Sequence, residues 1–346
     1  MADVETFMSV SAGDIEKIMG VAVGDIEAVV GLGVVTGPGW LGSRHIGAGW
    51  SLSPYHDIEY KASTGGGDTL AFGDLDYGRS APRGAGTGIN GSRGIIGGGH
   101  DGSVPKQEYD YLACSTLGSA ADAGDMTNVR YEGGASSNGT LLFFMGGVQA
   151  DPYGRTKETD YITIATLGTS TNAGELIMET GNNGFAPGDT RGASFGGYTN
   201  RADPNQQYAA VDYIVFHTSN DAADFGDMSL KSAYHSVAAS TTRWVLKSGS
   251  SYDTSAGTVR LNHMDWWTVS SGGTHADFGD IAGRTDYHIG MSDGTRGEYW
   301  GGRNDSGSFI DSIAYITIAN ATDADDAGNI RLGAKYSTGG GFSGAS

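Results

Sequence analysis

The chain has 346 residues, of which 59 are glycine, and a formal net charge of -19. Such an acidic surface repels phosphate backbones, so no nucleic-acid partner is expected. It contains no apolar run of about 18 residues, so insertion into a membrane is not expected either. Its single cysteine, Cys114, excludes an intrachain disulfide.

The first 37 residues differ from the rest of the chain. Gly13-Asp-Ile-Glu-Lys-Ile-Met-Gly20 is echoed by Gly24-Asp-Ile-Glu-Ala-Val-Val-Gly31, at an offset of 11 residues. Each copy predicts a short acid-capped helix with one apolar face. Two such helices need a partner for that face, which could be the following domain, a second copy or a larger assembly. We therefore predict a helical anchor over residues 1–37, and Gly37-Pro38-Gly39 marks the boundary to a second domain over residues 38–346.

A short signature then recurs six times, with glycine followed by an acid or amide and an apolar residue. Its glycines are residues 73, 124, 174, 226, 279 and 328, at steps of 51, 50, 52, 53 and 49. A period near 50 residues is typical of a kelch-like propeller blade. The sequence thus predicts an all-β fold, a six-bladed β-propeller.

Each period has three recognisable segments. An apolar run, often ending in paired glycines, suits a strand followed by a sharp turn with positive φ. Next come alternating β formers after an acid-aromatic pair, and then a polar loop that leads to the signature. The pairs are Glu59-Tyr60, Asp110-Tyr111, Asp160-Tyr161, Asp212-Tyr213 and Asp265-Trp266, with Ala314-Tyr315 as the deviant. The spacings between successive aromatic residues of these pairs equal the spacings between successive signature glycines. Two separate sequence markers therefore repeat with the same period.

The repeated acids have two interpretations. Asp beside glycine can hydrogen-bond its own backbone and fix a turn, which is the structural interpretation. Calcium binding is the alternative, and Asp323, Asp325 and Asp326 form the densest cluster. Their order does not match a calcium loop, so no metal site is assigned.

Closure of the ring is visible at the two ends of the repeat array. The last signature is followed only by Arg331-Leu-Gly-Ala-Lys-Tyr336 and a glycine-serine tail, with no glycine-paired strand. The missing partner occurs near the start, at Ser43–Trp50. The N- and C-terminal segments are therefore predicted to share one blade, which removes the exposed sheet edges.

These residues resemble a known group of proteins. The apolar run, the glycine pair, the later tyrosine and a bulky residue six positions on, as in Tyr111 to Leu117, resemble a degenerate kelch repeat. The segments "DYITIATLG…AGEL" and "DFGDM" resemble kelch-like repeats in structural proteins of tailed bacteriophages, especially marine and cyanobacterial ones. The tandem "GDIEKIMGVAVGDIEAVVG" resembles N-terminal segments of phage tail-fibre and appendage proteins. The resemblance implies a virion structural or host-contact role and carries no catalytic motif.

The sequence contains few motifs that indicate catalysis or ligand binding. The eight histidines include no pair spaced for zinc, and no nucleophile elbow or phosphate loop occurs, so neither a catalytic residue nor a cofactor is predicted. His217 is interpreted as a packed or rim residue on a strand and not as a metal ligand, and Cys114 as a buried residue on a strand and not as a nucleophile. The fifth period deviates most, with Trp244 and the pair Trp266-Trp267. Trp267 is the candidate for stacking on a sugar, with core packing as the other interpretation.

The leading functional hypothesis is a non-enzymatic virion protein, a tail fibre, appendage or decoration that displays a propeller for host contact or assembly. Its expected partners are other virion proteins, or copies of itself, bound through residues 1–37. A host-surface glycan is a further candidate partner. A carbohydrate-binding module, a self-assembling extracellular filament or sheath, and a propeller hydrolase are the alternatives.

Overall fold

The structure, a computed structural model, describes residues 42–48, 56–78, 84–88, 91–101, 104–149, 154–199, 207–216, 221–253, 255, 257–331 and 340–344. Within these ranges every regular element is a β-strand, so the all-β prediction is confirmed. The helical anchor predicted over residues 1–37 and the boundary at residues 37–39 lie outside the described residues.

The strands follow one another in chain order with short connections. They are β1 (Arg44–Ala48), β2 (Asp57–Ala62), β3 (Leu70–Asp74), β4 (Gly84–Gly88), β5 (Arg93–Gly97), β6 (Glu108–Ala113), β7 (Ala121–Asp125), β8 (Gly134–Ser137), β9 (Leu141–Met145), β10 (Thr156–Thr163), β11 (Thr171–Thr180), β12 (Gly184–Ala186), β13 (Arg191–Phe195), β14 (Ala210–Val215), β15 (Ala223–Asp227), β16 (Ser236–Ala239), β17 (Arg243–Lys247), β18 (Ser250–Asp253), β19 (Gly257–Thr268), β20 (Ala276–Asp286), β21 (Ile289–Ser292), β22 (Arg296–Trp300), β23 (Arg303–Asn304), β24 (Ser312–Thr317), β25 (Asp325–Asn329) and β26 (Gly340–Gly344).

The strands form six antiparallel sheets, and each sheet is one blade of a β-propeller. From the innermost to the outermost strand, blades 1 to 6 are β26-β1-β2-β3, β4-β5-β6-β7, β8-β9-β10-β11, β12-β13-β14-β15, β16-β17-β19-β20 and β21-β22-β24-β25. In blade 5, β18 also pairs with β19, and β23 pairs with β20. The prediction of six blades is confirmed.

The ring closes as the sequence predicted, because the two ends of the array share blade 1. Strand β26 pairs with β1 in antiparallel register, with Phe342 opposite Ile46. The innermost strands contact one another in the cycle β26-β4-β8-β12-β16-β21 and back to β26. The closing strand lies in the glycine-serine tail, and it is the C-terminal segment's contribution to the shared blade. Its glycines fit there because a β-carbon on Gly341 would lie 2.2 Å from Ile289 of blade 6.

The second strand of each blade is buried on both faces. Strands β1, β5, β9, β13, β17 and β22 share one burial pattern, in which only the first residue is partly exposed. A sheet packed between two neighbours has no solvent face, so the apolar run is continuous and does not alternate. The glycine pairs after several of these strands have positive φ, for example 65° at Gly98 and 92° at Gly99, which confirms the predicted sharp turns.

The signature was expected to be a turn that follows a loop, and that prediction is wrong in one respect. Each period contains four strands, and the signature lies in the outermost one. That strand has a bulge at the residue before the signature glycine, seen as Gly124 and Asp122 pairing with consecutive residues of β6. A bulge requires the same glycine and acid residues as a turn, which is why the two resemble each other in sequence.

The hydrophobic core is divided among the blade interfaces. The core between blades 4 and 5 contains Phe195, Phe225, Trp244 and Trp267. The core between blades 2 and 3 is built similarly around Tyr109 and other large side chains. Each such side chain contributes roughly 1.5–3 kcal/mol by leaving water. The ring is therefore stabilised mainly at the contacts between blades.

Candidate functional site at the interface of blades 5 and 6

A polar residue two positions before the signature glycine recurs in five blades and binds the backbone. In five blades the amide of the signature glycine donates to an Asp or Asn side chain two residues earlier, at 3.0–3.1 Å. The acceptors are Asp122, Asn172, Asp224, Asp277 and Asp326. In blades 1, 2, 4 and 6 the carbonyl that precedes the glycine accepts an amide of the next blade, as in Gly118 N to Phe72 O at 3.0 Å and Gly168 N to Ala123 O at 3.0 Å. These residues therefore fix the bulge and join neighbouring blades.

The acids of the acid-aromatic pairs form a second set of contacts between blades. Asp110, Asp160, Asp212 and Asp265 are at most 8% exposed. Each accepts a backbone amide from the preceding blade at 3.0–3.1 Å, and the donor lies three residues after the signature glycine. The donors are Asp76, Thr127, Ile177 and Ser229. Burial raises the pKa of Asp212 to about 6, although the Ile177 amide opposes the shift.

A contact between an arginine and an aromatic ring also recurs from blade to blade. The guanidinium lies 3.6–5.1 Å from the ring centroid in the pairs Arg44–Tyr60, Arg191–Tyr213, Arg243–Trp266 and Arg296–Tyr315, and 5.7 Å away in Arg93–Tyr111. Several of these arginines also donate to carbonyls of the next blade, as Arg243 does to Ala319 at 2.6 Å. They belong to the scaffold.

The buried acid is absent at one interface, and a cavity lies there. Blade 6 has Ala314 at the acid position, and the residue three after the signature glycine of blade 5 is Ala282. Both alanines line a cavity of about 160 Å³ between blades 5 and 6. At the four interfaces described above, a buried aspartate carboxylate accepts the backbone amide at this place. We call this space the interblade cavity.

The inner wall of the interblade cavity carries two unsatisfied polar side chains. Thr285, 3% exposed, and His288, 6% exposed, both line it. Neither the Thr285 hydroxyl nor either ring nitrogen of His288 has a hydrogen-bond partner. Buried polar groups without partners are uncommon in folded proteins. Among the residues that line this cavity, Thr285 and His288 are therefore buried side chains to which the described part of the fold supplies no partner.

A buried charge network lies directly behind this wall. Lys247 is fully buried and donates through Nζ to the carbonyl of Leu261 at 2.9 Å and to that of Thr285. Asp286, also fully buried, accepts from Arg260 Nε at 3.1 Å and from Arg303 through Nε at 3.1 Å and its terminal nitrogen at 2.9 Å.

This environment sets the protonation of the inner wall. Burial lowers the pKa of Lys247 to about 7, and Asp286 acts in the opposite direction. Burial, and then the nearby Lys247 charge, hold the pKa of His288 well below its ordinary value. His288 is therefore a neutral imidazole at neutral pH, with one nitrogen that donates and one that accepts. The Thr285 hydroxyl can do both.

A second cavity lies on the propeller axis and shares one residue with the first. It has a volume of about 80 Å³ and is lined by the innermost strands of blades 3 to 6 and by Gly341 of blade 1. His288 lines it as well, so this side chain stands between the two cavities. The neighbouring His235 is already satisfied, with Nε2 at 2.8 Å from the Ser232 carbonyl.

The structure buries the sequence candidate for sugar stacking. Trp267 is 1% exposed, and its ring packs against Phe195 at a centroid distance of 5.0 Å. A sugar needs an exposed ring face, so this placement supports core packing and gives no support to the stacking role.

Three other candidate residues from the sequence are buried or hydrogen-bonded to the backbone. Cys114 is buried, which raises the pKa of its thiol to about 12, while Arg44 opposes the shift. Asp323 accepts the Asp280 amide at 2.9 Å, and Asp326 accepts that of Gly328. Among the described residues no group of three or more metal-ligating side chains comes together. His217 lies outside the described residues.

Sequence reasoning missed Lys247, Thr285, Asp286 and His288, although part of the signal was present. Aligning the second strands places Lys247 where the other blades have Ala48, Gly97, Met145, Phe195 and Trp300. A lysine at an otherwise apolar, buried position is a visible break in the repeat.

Comparison with protein-family models and with curated protein sequences produced no match to this chain. Over the described part of the chain, no helix has the length and apolarity needed to cross a membrane.

Proposed function

We propose that the protein is a non-enzymatic structural component of a tailed-phage particle, in which a kelch-like propeller is displayed by an anchor over residues 1–37. The resemblance of the repeats and of the N-terminal tandem to phage appendage proteins supports the role. The glycine pairs and the repeated tyrosines, now placed in four-stranded blades, support the kelch-like classification.

One structural observation carries the proposal: the repeated residues join blades. Signature glycines, buried aspartates and arginine–aromatic pairs contact the neighbouring blade. A ring linked in this way is a rigid module suited to display on a particle. Its acidic composition, with a net charge of -19, keeps closely spaced copies soluble by mutual repulsion.

The test is the location of the chain in a lysate that produces it. Particles purified through a density gradient are analysed by quantitative mass spectrometry, and gold-labelled antibody against residues 38–346 is imaged on them. We expect a fixed copy number per particle and gold on a tail or appendage. A chain that remains in the soluble fraction, away from the particle band, contradicts the proposal.

Deletion of residues 1–37 provides the matched variant. The shortened chain is expected to remain folded and to be absent from particles, because the anchor supplies the attachment. Incorporation at the normal copy number would assign attachment to the propeller instead. Filaments formed by the purified full-length chain, with none on the particle, would favour the sheath alternative.

A further inference from the structure

We propose that the interblade cavity is a binding site for a small neutral molecule of phenol size, with an aromatic or cyclic apolar body and one hydroxyl group. The inference goes beyond the proposed particle role and does not depend on it. It rests on the size of the cavity, on the two unsatisfied side chains in its inner wall, and on the charge at its mouth.

The volume sets the size of the occupant. A protein cavity of about 150 Å³ is large enough for benzene, and the interblade cavity measures about 160 Å³. Its walls are largely apolar, with Ile281, Ile310, Ile313 and Ala314 among the lining residues. A ring of about six carbon atoms would fill it and remove those apolar surfaces from water.

The inner wall of the cavity determines which polar group the ligand carries. Thr285 and His288 offer one hydroxyl and one neutral imidazole, both buried and both without partners. A ligand hydroxyl can donate to one of these groups and accept from the other, so one group on the ligand satisfies both side chains. A ligand without such a group leaves both side chains without a partner.

The residues at the entrance of the cavity determine which ligand charge is favoured. Asp325 and Asp326 are exposed and line the outer end of the cavity together with Ser312, which is also exposed. Two carboxylates at the entrance disfavour an anion. A cation would have to give up its hydration against an uncharged inner wall, which is costly. The combination favours a neutral ligand.

The repeat explains why the site occurs at only one of the interfaces compared above. An aspartate at the position of Ala314 would reach the backbone at residue 282, as Asp160 reaches Thr127. With alanine at both positions, the space that a carboxylate fills elsewhere becomes available. Lys247 holds the Thr285 carbonyl and thereby fixes the segment that carries both polar side chains.

The experiment measures binding of phenol and of benzene to the full-length chain by ligand-observed NMR and calorimetry. We expect phenol to bind with a dissociation constant on the order of 0.1–1 mM, as for a ligand of about seven heavy atoms. Benzene should bind about 3- to 10-fold more weakly because it lacks the hydroxyl. Benzoate should not compete with phenol.

Two variants locate the site. In Thr285→Val the hydroxyl is replaced by a methyl group of the same shape, so phenol should lose about 3- to 10-fold in affinity while benzene changes less than about 2-fold. Ala314→Leu should fill the cavity and abolish binding of both, whereas Ala71→Leu, at an exposed position of β3, should leave both unchanged. Circular dichroism and thermal unfolding verify that each variant is folded.

Three experimental results would contradict the proposal. Absence of phenol and benzene binding up to about 10 mM would overturn the proposal, because a cavity of this size should bind one of them in that range. Benzoate binding as tightly as phenol, or equal losses of phenol and benzene in Thr285→Val, would overturn the assigned chemistry. If Ala314→Leu does not fold, the phenol-to-benzene ratio in Thr285→Val decides the question alone.

Discussion

The carbonyl oxygen of Gly273 lies 2.4 Å from the point where a β-carbon on Gly226 would stand. Gly226 also has a φ of 134°, which side-chain-bearing residues rarely adopt. The amide of Gly273 donates to the Phe225 carbonyl at 2.7 Å, so this close approach is a hydrogen-bonded contact between blades 4 and 5. The signature glycine is thus needed both for its backbone angle and for the space it leaves.

Gly226→Ala should therefore destabilise the propeller by about 2–4 kcal/mol, from backbone strain and from displacement of the neighbouring blade. The measurement is the free energy of unfolding in urea. Gly66→Ala is the control, because nothing lies within 4 Å of the added carbon and the backbone angle is ordinary; its change should stay within about 0.5 kcal/mol. Equal effects of the two substitutions would show that the close approach has no energetic weight.

The buried aspartates should be more costly to remove than the surface ones. One oxygen of Asp160 accepts from the Thr127 amide at 3.0 Å and hydroxyl at 2.6 Å, from Ser170 at 3.1 Å and from Arg130 at 3.0 Å. Asp160→Ala leaves the Arg130 guanidinium, 3% exposed, without this partner. We expect a loss of about 3–5 kcal/mol in the free energy of unfolding.

The control for that substitution is Asp305→Ala at an exposed position, expected to change stability by less than about 0.5 kcal/mol. Asp160→Asn should fall between the two, since its amide oxygen can still accept a hydrogen bond. A loss of less than about 1 kcal/mol for Asp160→Ala would contradict the assigned role.

Periodicity made the scaffold predictable. The steps between Gly73 and Gly328 and the matching steps of the aromatic marker fixed both the number of blades and the closure, because each blade repeats one local pattern. The bulged outer strand was mistaken for a turn because glycine with Asp or Asn satisfies either geometry. Only the pairing partners of Asp122 and Gly124 distinguish them, and those lie on another strand.

The interblade cavity was only half predictable. The sequence showed that Ala314 stands where the other acid-aromatic pairs have an acid. It did not show which side chains lie across the cavity from Ala314. Thr285 and His288 lie 29 and 26 residues before it in sequence and reach the cavity through the fold. Trp267 illustrates the reverse case, because an unusual aromatic residue attracts a ligand hypothesis until its burial is known.

The closure between blades 6 and 1 depends on a buried carboxylate. Glu298, fully buried, accepts from Lys61 at 2.7 Å, Arg296 at 3.0 Å and Trp300 at 2.9 Å, and lies 3.0 Å from His45. Burial alone would raise the pKa of Glu298, but His45 and Lys61 lower it to about 2. Its folded-state pKa lies below the ordinary 4.5, so its stabilisation is complete above pH 4.5 and is lost as the pH falls towards 2.

Glu298→Gln should therefore cost about 3 kcal/mol at pH 7 and reduce the loss of stability between pH 4.5 and 2. Urea unfolding at several pH values in that window measures both effects. Glu179→Gln, an exposed glutamate, is the control and should keep the wild-type pH dependence. A Glu298→Gln profile parallel to the wild type would remove Glu298 as the cause.

Lys247 gives the opposite pH dependence. Its pKa is lowered by burial from 10.5 to about 7, so between these values the unfolded chain binds the proton that the folded chain has released. Stability must then rise with pH across this window, by up to about 1.4 kcal/mol per pH unit. Lys247→Met removes the titrating group and should flatten the rise between pH 7 and 9, measured by urea unfolding. Lys231→Met, at an exposed position, should keep it. Lys247→Met also removes the side chain that donates to the Leu261 and Thr285 carbonyls, which changes the absolute stability for a second reason. The slope of stability against pH is therefore the deciding quantity, and an unchanged slope would exclude Lys247 as its source.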